Sequence, residues 1–168
     1  ENAAHGAAAA APVGLLQDPT FWVFLAFVLV VVILARAGVH KLTIPVSASE
    51  AHSLANVRKS RVEMIEEVRA IARLRDQIAP GVKVEAGLST AFGCTIQGEV
   101  KEDDVVWLAG EVIAAGADEA GLSDTSGMAN PAQVRRLFDK VRAAIGERSG
   151  AAHLHNTRGL GLANGLAA

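Results

Sequence analysis

Short strand-like segments alternate with longer helical segments from Gly38 to the end of this 168-residue chain. The helical segments carry apolar residues at every third or fourth position, which is the pattern of a helix with one buried face. Strands that alternate with helices of ten or more residues form parallel sheets joined by right-handed crossovers. The sequence therefore predicts an α/β fold. The strand-like segments are 39–47, 81–89, 118–126 and 151–156.

Helices are predicted between these strands. One apolar stripe spans 54–78 and a second marks 105–113. Asn130 is a suitable N-cap for the last helix, because Pro131 would occupy its first position and an apolar stripe follows at 134–145. The pattern gives about four βα units, whereas a closed (β/α)8 barrel needs eight units and about 200 to 250 residues. This part of the chain is therefore either a small open sheet or part of a TIM barrel.

The first part of the chain has a different composition. Residues 1–14 are rich in alanine and predict a flexible tail. Residues 19–35 are uncharged and mostly apolar, and this length is the lower limit for crossing a bilayer. We therefore predict a transmembrane helix within 15–37, ahead of an α/β domain at 38–168.

Charges on either side of the apolar run predict its orientation. Asp18 precedes the run, and Arg36, His40 and Lys41 follow it. By the positive-inside rule, the membrane-anchored chain would have its C-terminal part in the cytoplasm. A cleaved signal peptide is disfavoured, because no cationic leader precedes the run and no small-residue cleavage site follows it. A buried hydrophobic helix or a β-rich core segment stays open, and the chain would then be cytoplasmic.

Charge and cysteine content exclude two features. The formal net charge of −2 and the lack of a basic patch argue against a nucleic-acid partner. Cys94 is the only cysteine, so no internal disulfide can form. We expect Cys94 to be a small buried residue.

Two histidines stand one residue apart in the last strand-like segment. Alternate residues of a strand point to the same face, so His153 and His155 project together while Leu154 faces the other way. Ligands of parallel α/β folds bind at the C-terminal ends of the strands, where this pair lies. The histidines are either metal ligands or a hydrogen-bonded pair at a strand end. Two ligands alone do not complete a site for a divalent metal.

Four motifs follow one another in the α/β part of the chain: SASEAHSLANVRKS, GLSTAFGCTIQGEV, GLSDTSGMANPAQVRRL and HLHNTRGLGLAN. In this order and at these separations, they resemble the hydroxymethylglutaryl-CoA lyase branch of the metal-dependent TIM-barrel lyases, which are related to pyruvate carboxyltransferases. The resemblance covers about residues 38–168. It implies a partial (β/α)8 TIM barrel with barrel strands four to seven. The transmembrane helix predicted from the apolar run would precede this partial barrel.

The resemblance implies a divalent cation, Mg²⁺ or Mn²⁺, held by His153 and His155. It also implies cleavage of a 3-hydroxyacyl-CoA substrate, such as 3-hydroxy-3-methylglutaryl-CoA, to acetyl-CoA and a keto acid. Asp124 matches an acidic position near the family's metal centre, where it would take part in proton transfer; alternatively it caps the turn before Asn130. Asn156 stands where many members carry aspartate, which is compatible with a subgroup that acts on a different acyl-CoA.

Several elements of the family have no counterpart in this sequence. They are the first-strand Arg-Asp pair with its metal-binding aspartate, the eighth-strand asparagine ligand, and the glycine-rich loop with the reactive cysteine, since Cys94 matches a different position. We therefore expect weak metal binding and little or no turnover from this chain. A partial barrel also has two unpaired edge strands and, we expect, an apolar inner face. This predicts self-association or a partner that supplies the missing strands.

The segment LLQDPTFWVFLAFVLVVVILARAGVHK ends at Lys41. With the alanine-rich tail, as residues 1–41, it resembles the membrane anchor of the b or b′ subunit of bacterial ATP synthases. This resemblance implies an alternative function, that of a non-catalytic, membrane-anchored subunit of the peripheral stalk. A stalk requires one long uninterrupted helix, whereas Pro80, Pro131 and several glycines interrupt this sequence. The lyase-like function is favoured because its motifs cover most of the chain.

Overall fold

The structure, a computed structural model, describes Trp22, Leu29, Ile33 and residues 38–168. The three isolated residues are helical and exposed. The predicted tail at 1–14 and the remainder of the predicted span within 15–37 lie outside the described residues. The chain divides into two compact units, and the second of them, Val39–Ala168, contains all the described strands.

No helix among the described residues is long and apolar enough to cross a bilayer. Arg61–Ile78, the longest helix in the described part, has 18 residues and carries charged side chains on every turn. This finding contradicts the membrane-anchored localisation, with a cytoplasmic C-terminal part, that the apolar run at 19–35 predicts. That prediction is wrong. The prediction rests on a run whose length is only the minimum for a membrane span. Apolar runs of this length also occur in segments buried inside proteins.

Residues 39–168 form one parallel sheet packed against helices. Each connection between consecutive strands contains at least one helix, as the alternation in the sequence predicts. The elements in chain order are β1 (Lys41–Ser47), α1 (Glu50–Val57), α2 (Arg61–Ile78), β2 (Lys83–Ser89), α3 (Glu102–Ala114), β3 (Glu119–Asp124), α4 (Pro131–Ile145), a 3₁₀ turn (Gly146–Arg148), β4 (Ser149–Leu154) and α5 (Gly161–Ala167).

The strands lie side by side in chain order, β1-β2-β3-β4, and all pairs are parallel. β1 and β2 pair over their full length, from Lys41 opposite Lys83 to Ser47 opposite Ser89. Consecutive parallel strands that neighbour each other make up the wall of a TIM barrel, because each crossover returns the chain beside the strand it has just left. The predicted α/β fold with four βα units is confirmed.

The apolar stripe at 54–78 belongs to two helices rather than one. α1 ends before Arg58, which adopts a left-handed conformation with φ of 57°. α2 begins after Ser60, whose hydroxyl accepts the N–H of Glu63 while the Glu63 carboxylate accepts the N–H of Ser60. This capping box starts a new helix. Apolar spacing continues through the break and therefore does not reveal it.

The start of α4 is as predicted. Asn130 Oδ1 accepts the N–H of Gln133 at 3.0 Å, and Pro131 occupies the first helical position. α3 begins differently, because it has no capping side chain but carries three acidic residues in its first turn. Negative charge at this position is favourable, since the N-terminus of a helix carries partial positive charge.

The face of the sheet toward the helices forms the hydrophobic core. Even-numbered residues of β1, β2 and β3 point to this face, as the alternation of strand side chains requires. Full burial of one leucine or valine side chain contributes about 1.5–3 kcal/mol. The strand residues in this core are Val46, Val84, Ala86, Leu88, Ala120 and Leu122.

The opposite face of the sheet, here called the inner face, is polar. It bears charged residues at the amino ends of the strands and hydroxyl and imidazole groups at the carboxyl ends. The apolar inner face that we expect from sequence is therefore not found, because the polar residues alternate regularly with the core residues along each strand. Side chains on the inner face are those of Lys41, Thr43, Pro45, Lys83, Glu85, Ser89, Glu119, Ser123 and His153.

Lys41 lies between two carboxylates at the amino end of the inner face. Its Nζ lies 3.1 Å from Glu85 Oε2 and 2.5 Å from Glu119 Oε2. Lys83 Nζ lies 2.8 Å from the other oxygen of Glu119. Glu85 is only 4% exposed, so its charge needs the compensation that Lys41 gives. Hydrogen bonds from Lys41, and then from Lys83, hold the pKa of Glu119 below its ordinary value.

We expect Glu119→Gln to lower stability at neutral pH and to have a smaller effect at acidic pH. Because the pKa of Glu119 is lower in the folded state, the carboxylate stabilises the fold above its unfolded pKa of about 4.3, and the effect is lost as the pH falls through the folded pKa. The difference in unfolding free energy at pH 7 should be about 0.5–1 kcal/mol. Urea unfolding of both proteins between pH 7 and pH 2.5 measures it, and a difference independent of pH would contradict the ion pair.

Candidate functional site

His153 and His155 lie at the carboxyl end of β4, and the structure brings their rings together. Their Nε2 atoms are 3.2 Å apart, which is within hydrogen-bond distance, so the alternative of a hydrogen-bonded pair stays open. The ring centroids are 5.1 Å apart, with the ring planes inclined by 42°. Both residues are exposed, whereas Leu154 between them packs against the core. The two imidazoles therefore share one side of the strand.

The two histidines border a cavity of about 250 Å³ on the inner face. Ser89, Ser123 and Thr125, from the carboxyl ends of β2 and β3, line the same cavity. The cavity thus presents hydroxyl and imidazole groups side by side. It lies at the carboxyl ends of parallel strands, where ligands of such folds bind.

The histidine pair fits two neighbouring positions around one metal ion. An imidazole nitrogen binds zinc at about 2.0–2.1 Å in a tetrahedral site, so two nitrogens on one zinc ion lie about 3.3 Å apart. The observed separation of 3.2 Å is close to this value. Residues 38–168 and the three described helical residues contain no group of three or more His, Cys, Asp or Glu side chains that could hold a metal. The described residues therefore supply two protein ligands.

Asp124 ends β3 and lies on the opposite side of the sheet from Ser123 and the cavity. Its Oδ1 accepts the N–H groups of Met128 at 2.9 Å and Ala129 at 3.2 Å. Its Oδ2 is buried and has no hydrogen-bond partner among the described residues. The observed contacts of Asp124 are those of a turn cap. Its role in proton transfer stays a prediction.

Arg158 joins the turn after β3 to the loop after β4. Its guanidinium donates hydrogen bonds to the three carbonyl oxygens of residues 127–129, at distances from 2.6 to 3.0 Å. Asn164, fully buried in α5, donates from Nδ2 to the last of these carbonyls at 3.3 Å. These bonds hold the loop that follows His155 against the turn that follows Thr125.

Asn156 follows the histidine pair and contacts the first residue of the short helix α5. Its Oδ1 accepts the N–H of Gly161 at 2.8 Å. An aspartate at this position has the same acceptor, so this contact does not distinguish the two residue types. A Cβ atom at Gly161 would lie 3.0 Å from Asn156 Oδ1, which is a tight contact.

Cys94 is a buried free thiol outside the histidine cavity. Its Sγ accepts the N–H groups of Ile96 at 3.3 Å and Gln97 at 3.4 Å. Burial raises the pKa of the thiol, but hydrogen bonds from the Ser49 hydroxyl and the two amides outweigh burial and lower the pKa overall. The prediction that Cys94 is a small buried residue is confirmed.

A larger cavity, of about 630 Å³, lies beside the N-terminal ends of α3 and α4. Two of its cations are neutralised, because Arg136 Nη2 and Lys140 Nζ lie 2.6 Å and 3.0 Å from the Glu102 carboxylate. These contacts hold the pKa of Glu102 below its ordinary value. The smaller cavity is the better candidate site, because it holds the two imidazoles at the carboxyl ends of the strands.

Sequence reasoning did not identify three residues that hold this site together. Arg158 and Asn164 fix the loops, and Glu85 accepts the N–H of Ala151 at 2.8 Å, two residues before His153. A charged residue within the apolar strand KVEAGL was the available signal for Glu85. No sequence spacing relates these residues to the histidines, because each acts through a contact between distant segments.

Fold and site together define a class of protein, a parallel (β/α) barrel segment with paired histidines at the carboxyl ends of its strands. The family model described as HMGL-like matches residues 11–168. The chain therefore belongs to the HMGL-like family.

Relatives and a solved structure agree with this assignment. The hydroxymethylglutaryl-CoA lyase YngG of Bacillus subtilis is 34% identical over 129 residues, which are 77% of this chain and 42% of that protein. The (R)-citramalyl-CoA lyase of Chloroflexus aurantiacus is 35% identical over 136 residues, 80% of this chain and 42% of that protein. The crystal structure of hydroxymethylglutaryl-CoA lyase from Pseudomonas aeruginosa matches with a TM-score of 0.73 and 32% identity, over 80% of this chain and 44% of that one.

The chain spans about two fifths of the length of these relatives. The match to the solved lyase confirms the partial TIM-barrel fold and the lyase resemblance at the level of the family. The same comparisons give no support to the resemblance of residues 1–41 to an ATP synthase b or b′ subunit. The four strands between Lys41 and Leu154 also contradict an uninterrupted stalk helix over this part of the chain.

Proposed function

We propose that this chain forms part of the active site of a divalent-metal-dependent carbon–carbon lyase acting on a 3-hydroxyacyl-CoA. The observation that carries the proposal is the pair of imidazole nitrogens, 3.2 Å apart, at the carboxyl end of a parallel sheet. Relatives named hydroxymethylglutaryl-CoA lyase and (R)-citramalyl-CoA lyase support an acyl-CoA as the substrate class. We propose 3-hydroxy-3-methylglutaryl-CoA first among these substrates.

The proposed reaction breaks one carbon–carbon bond of the substrate. A base removes the proton of the 3-hydroxyl group, and the oxygen becomes the carbonyl oxygen of the keto acid. The electron pair of the bond between C2 and C3 moves onto the thioester as an enolate, and a proton added at C2 gives acetyl-CoA. Bound Mg²⁺ or Mn²⁺ supplies polarisation of the substrate's oxygen atoms.

In this proposal, the chain's own residues bind the cation and orient the substrate. His153 and His155 hold the cation through their Nε2 atoms, and the hydroxyl groups of Ser89, Ser123 and Thr125 donate hydrogen bonds to oxygen atoms of the substrate. Two protein ligands leave the other coordination positions to water or to residues outside those described. We therefore propose weak metal binding and low turnover for this chain.

Mn²⁺ is expected to bind the full chain through the histidine pair. In calorimetric titration, the His153→Ala/His155→Ala variant should lose the binding heat of the wild type, or bind at least about tenfold more weakly. His40→Ala is the matched control, because His40 is exposed and precedes β1, at the other end of the sheet. Equal heats from the wild type and the double variant would contradict the metal site.

The two roles of Asp124 are separated by a pair of variants. Asp124→Ala leaves the N–H groups of Met128 and Ala129 without their acceptor and should cost about 1–3 kcal/mol of unfolding free energy for each group left unpaired. Asp124→Asn keeps an acceptor oxygen and should be nearly as stable as the wild type. Loss of acetyl-CoA release in Asp124→Asn, at unchanged stability in urea, is the result that proton transfer requires. Equal stability of Asp124→Ala and the wild type would contradict the capping role.

The open edges of the sheet lead us to propose self-association, or a partner that supplies further strands. Within residues 38–168, β1 and β4 each pair with a strand on one side only, and unpaired edges favour pairing with another chain. Pro45 weakens the β1 edge, because proline has no N–H to donate. Light scattering of the full chain should show a mass above that of a monomer that increases with concentration. A monodisperse monomer would contradict this proposal.

A further inference from the structure

β4 contains one residue more than the segment of β3 with which it pairs. Ala120 lies opposite Ser149, whereas Leu122 lies opposite Ala152. One residue of β3 therefore faces two residues of β4. This is a β-bulge, which is rare between parallel strands and often lies next to a functional site.

The extra residue decides which way the histidines point. Residues opposite each other in a sheet point to the same face, and His153 lies opposite Ser123 on the inner face. Without the extra residue, His153 would lie opposite Asp124, whose side chain points toward the helices. A shift of one residue moves every later side chain of the strand to the other face. The bulge therefore turns the histidine pair toward the cavity.

Glu85 reaches the bulge from β2, across the intervening strand β3. Its Oε1 accepts the N–H of Ala151, one of the two bulge residues, at 2.8 Å. Its Oε2 lies 3.1 Å from Lys41 Nζ. A hydrogen bond to an ionised and buried acceptor is stronger than one between neutral groups. The carboxylate thus supplies the acceptor where the bulge interrupts the regular ladder of the sheet.

Two glycines leave room for this carboxylate. A Cβ atom at Gly150 would lie 2.6 Å from Glu85 Oε1, and one at Gly121 would lie 2.5 Å from the same oxygen and 2.7 Å from the carbonyl oxygen of Ala151. Atoms do not approach so closely, so a side chain at Gly150 would displace the carboxylate, and one at Gly121 would displace both the carboxylate and the backbone of the bulge. Neither glycine has a positive φ, so close approach rather than backbone conformation requires them.

We propose that Glu85 is a positioning residue for the histidine pair. By binding the Ala151 amide, it fixes the register of β4 that turns His153 and His155 into the cavity. The inference rests on the proposed function for the role of the histidines as metal ligands. The dependence of the register on Glu85 does not require a metal and is measured separately.

The main comparison is between Glu85→Met and Glu119→Met in the full chain. Both changes remove a carboxylate partner of Lys41, but only Glu85 contacts Ala151. Amide hydrogen exchange at Ala151, followed by NMR, should become at least about tenfold faster in Glu85→Met and stay unchanged in Glu119→Met. Urea unfolding of both variants shows how much of any faster exchange at Ala151 comes from a lower overall stability.

The register of β4 and the affinity of the metal site are measured in the same two variants, Glu85→Met and Glu119→Met. The nuclear Overhauser contact between the backbones of Ser123 and His153 should weaken only in Glu85→Met. Calorimetric affinity for Mn²⁺ should fall at least about tenfold only in that variant. If Glu85 contributes only to overall stability, the Ser123–His153 contact and the Mn²⁺ affinity should be the same in Glu85→Met and Glu119→Met.

Two further variants test the same contact by other means. Gly150→Ala should reproduce the effects of Glu85→Met, because the added Cβ atom would lie 2.6 Å from Glu85 Oε1 and displace an unchanged carboxylate, while the nearest backbone atoms lie 3.2 Å away. Glu85→Gln keeps an acceptor oxygen and should retain the protection of Ala151 and most of the Mn²⁺ affinity. If Glu85→Met does not fold, these two variants decide. Loss of Ala151 protection and of Mn²⁺ affinity in the glycine variant, with retention of both in Glu85→Gln, supports the proposal. Equal protection and equal affinity in the two variants overturn it.

Unchanged Ala151 exchange together with an unchanged contact between Ser123 and His153 in Glu85→Met would overturn the proposal, whether or not the wild type binds Mn²⁺. If the wild type binds no Mn²⁺ but Glu85→Met alters the exchange and the register, the positioning role is supported and the proposed metal site fails.

Discussion

The alternation of side chains along four parallel strands is the constraint on which this structure depends. One set of strand residues packs against the helices and forms the core. The other set forms the inner face, with ion pairs at the amino ends and hydroxyl and imidazole groups at the carboxyl ends. β4 contributes its histidines to this second set because a bulge shifts its register by one residue. Core and candidate site are therefore two faces of one sheet and share one register.

Side chains from near and from distant parts of the sequence hold the backbone around the site. Asp124 accepts N–H groups of the turn after β3, while Arg158 donates to carbonyl groups of the same turn. The turn is thus bound by an anion from one segment and a cation from another. Glu85, from β2, accepts the N–H of Ala151 in the bulge of β4. These polar contacts favour one arrangement of the backbone around the site.

The sequence predicted the features that depend on local signals. Alternating strand and helix patterns predicted the parallel α/β fold, and Asn130 predicted the start of α4. The histidine pair was predictable because the two residues are one position apart at the end of one strand. The break at Arg58 was not, because apolar spacing continues through it. The bulge was not predictable either, since its acceptor, Glu85, lies 66 residues before Ala151 in the sequence. The apolar run near the N-terminus predicted a membrane anchor that no described helix supports.

The central claim is that His153 and His155 present their imidazoles to the same metal ion. Zn²⁺ is a suitable probe, because imidazole nitrogen binds it at about 2.0–2.1 Å. X-ray absorption at the zinc edge of the Zn²⁺-loaded full chain should show two imidazole rings per ion at this distance, and at most one after His155→Ala. A spectrum with one imidazole or none in the wild type would contradict the account.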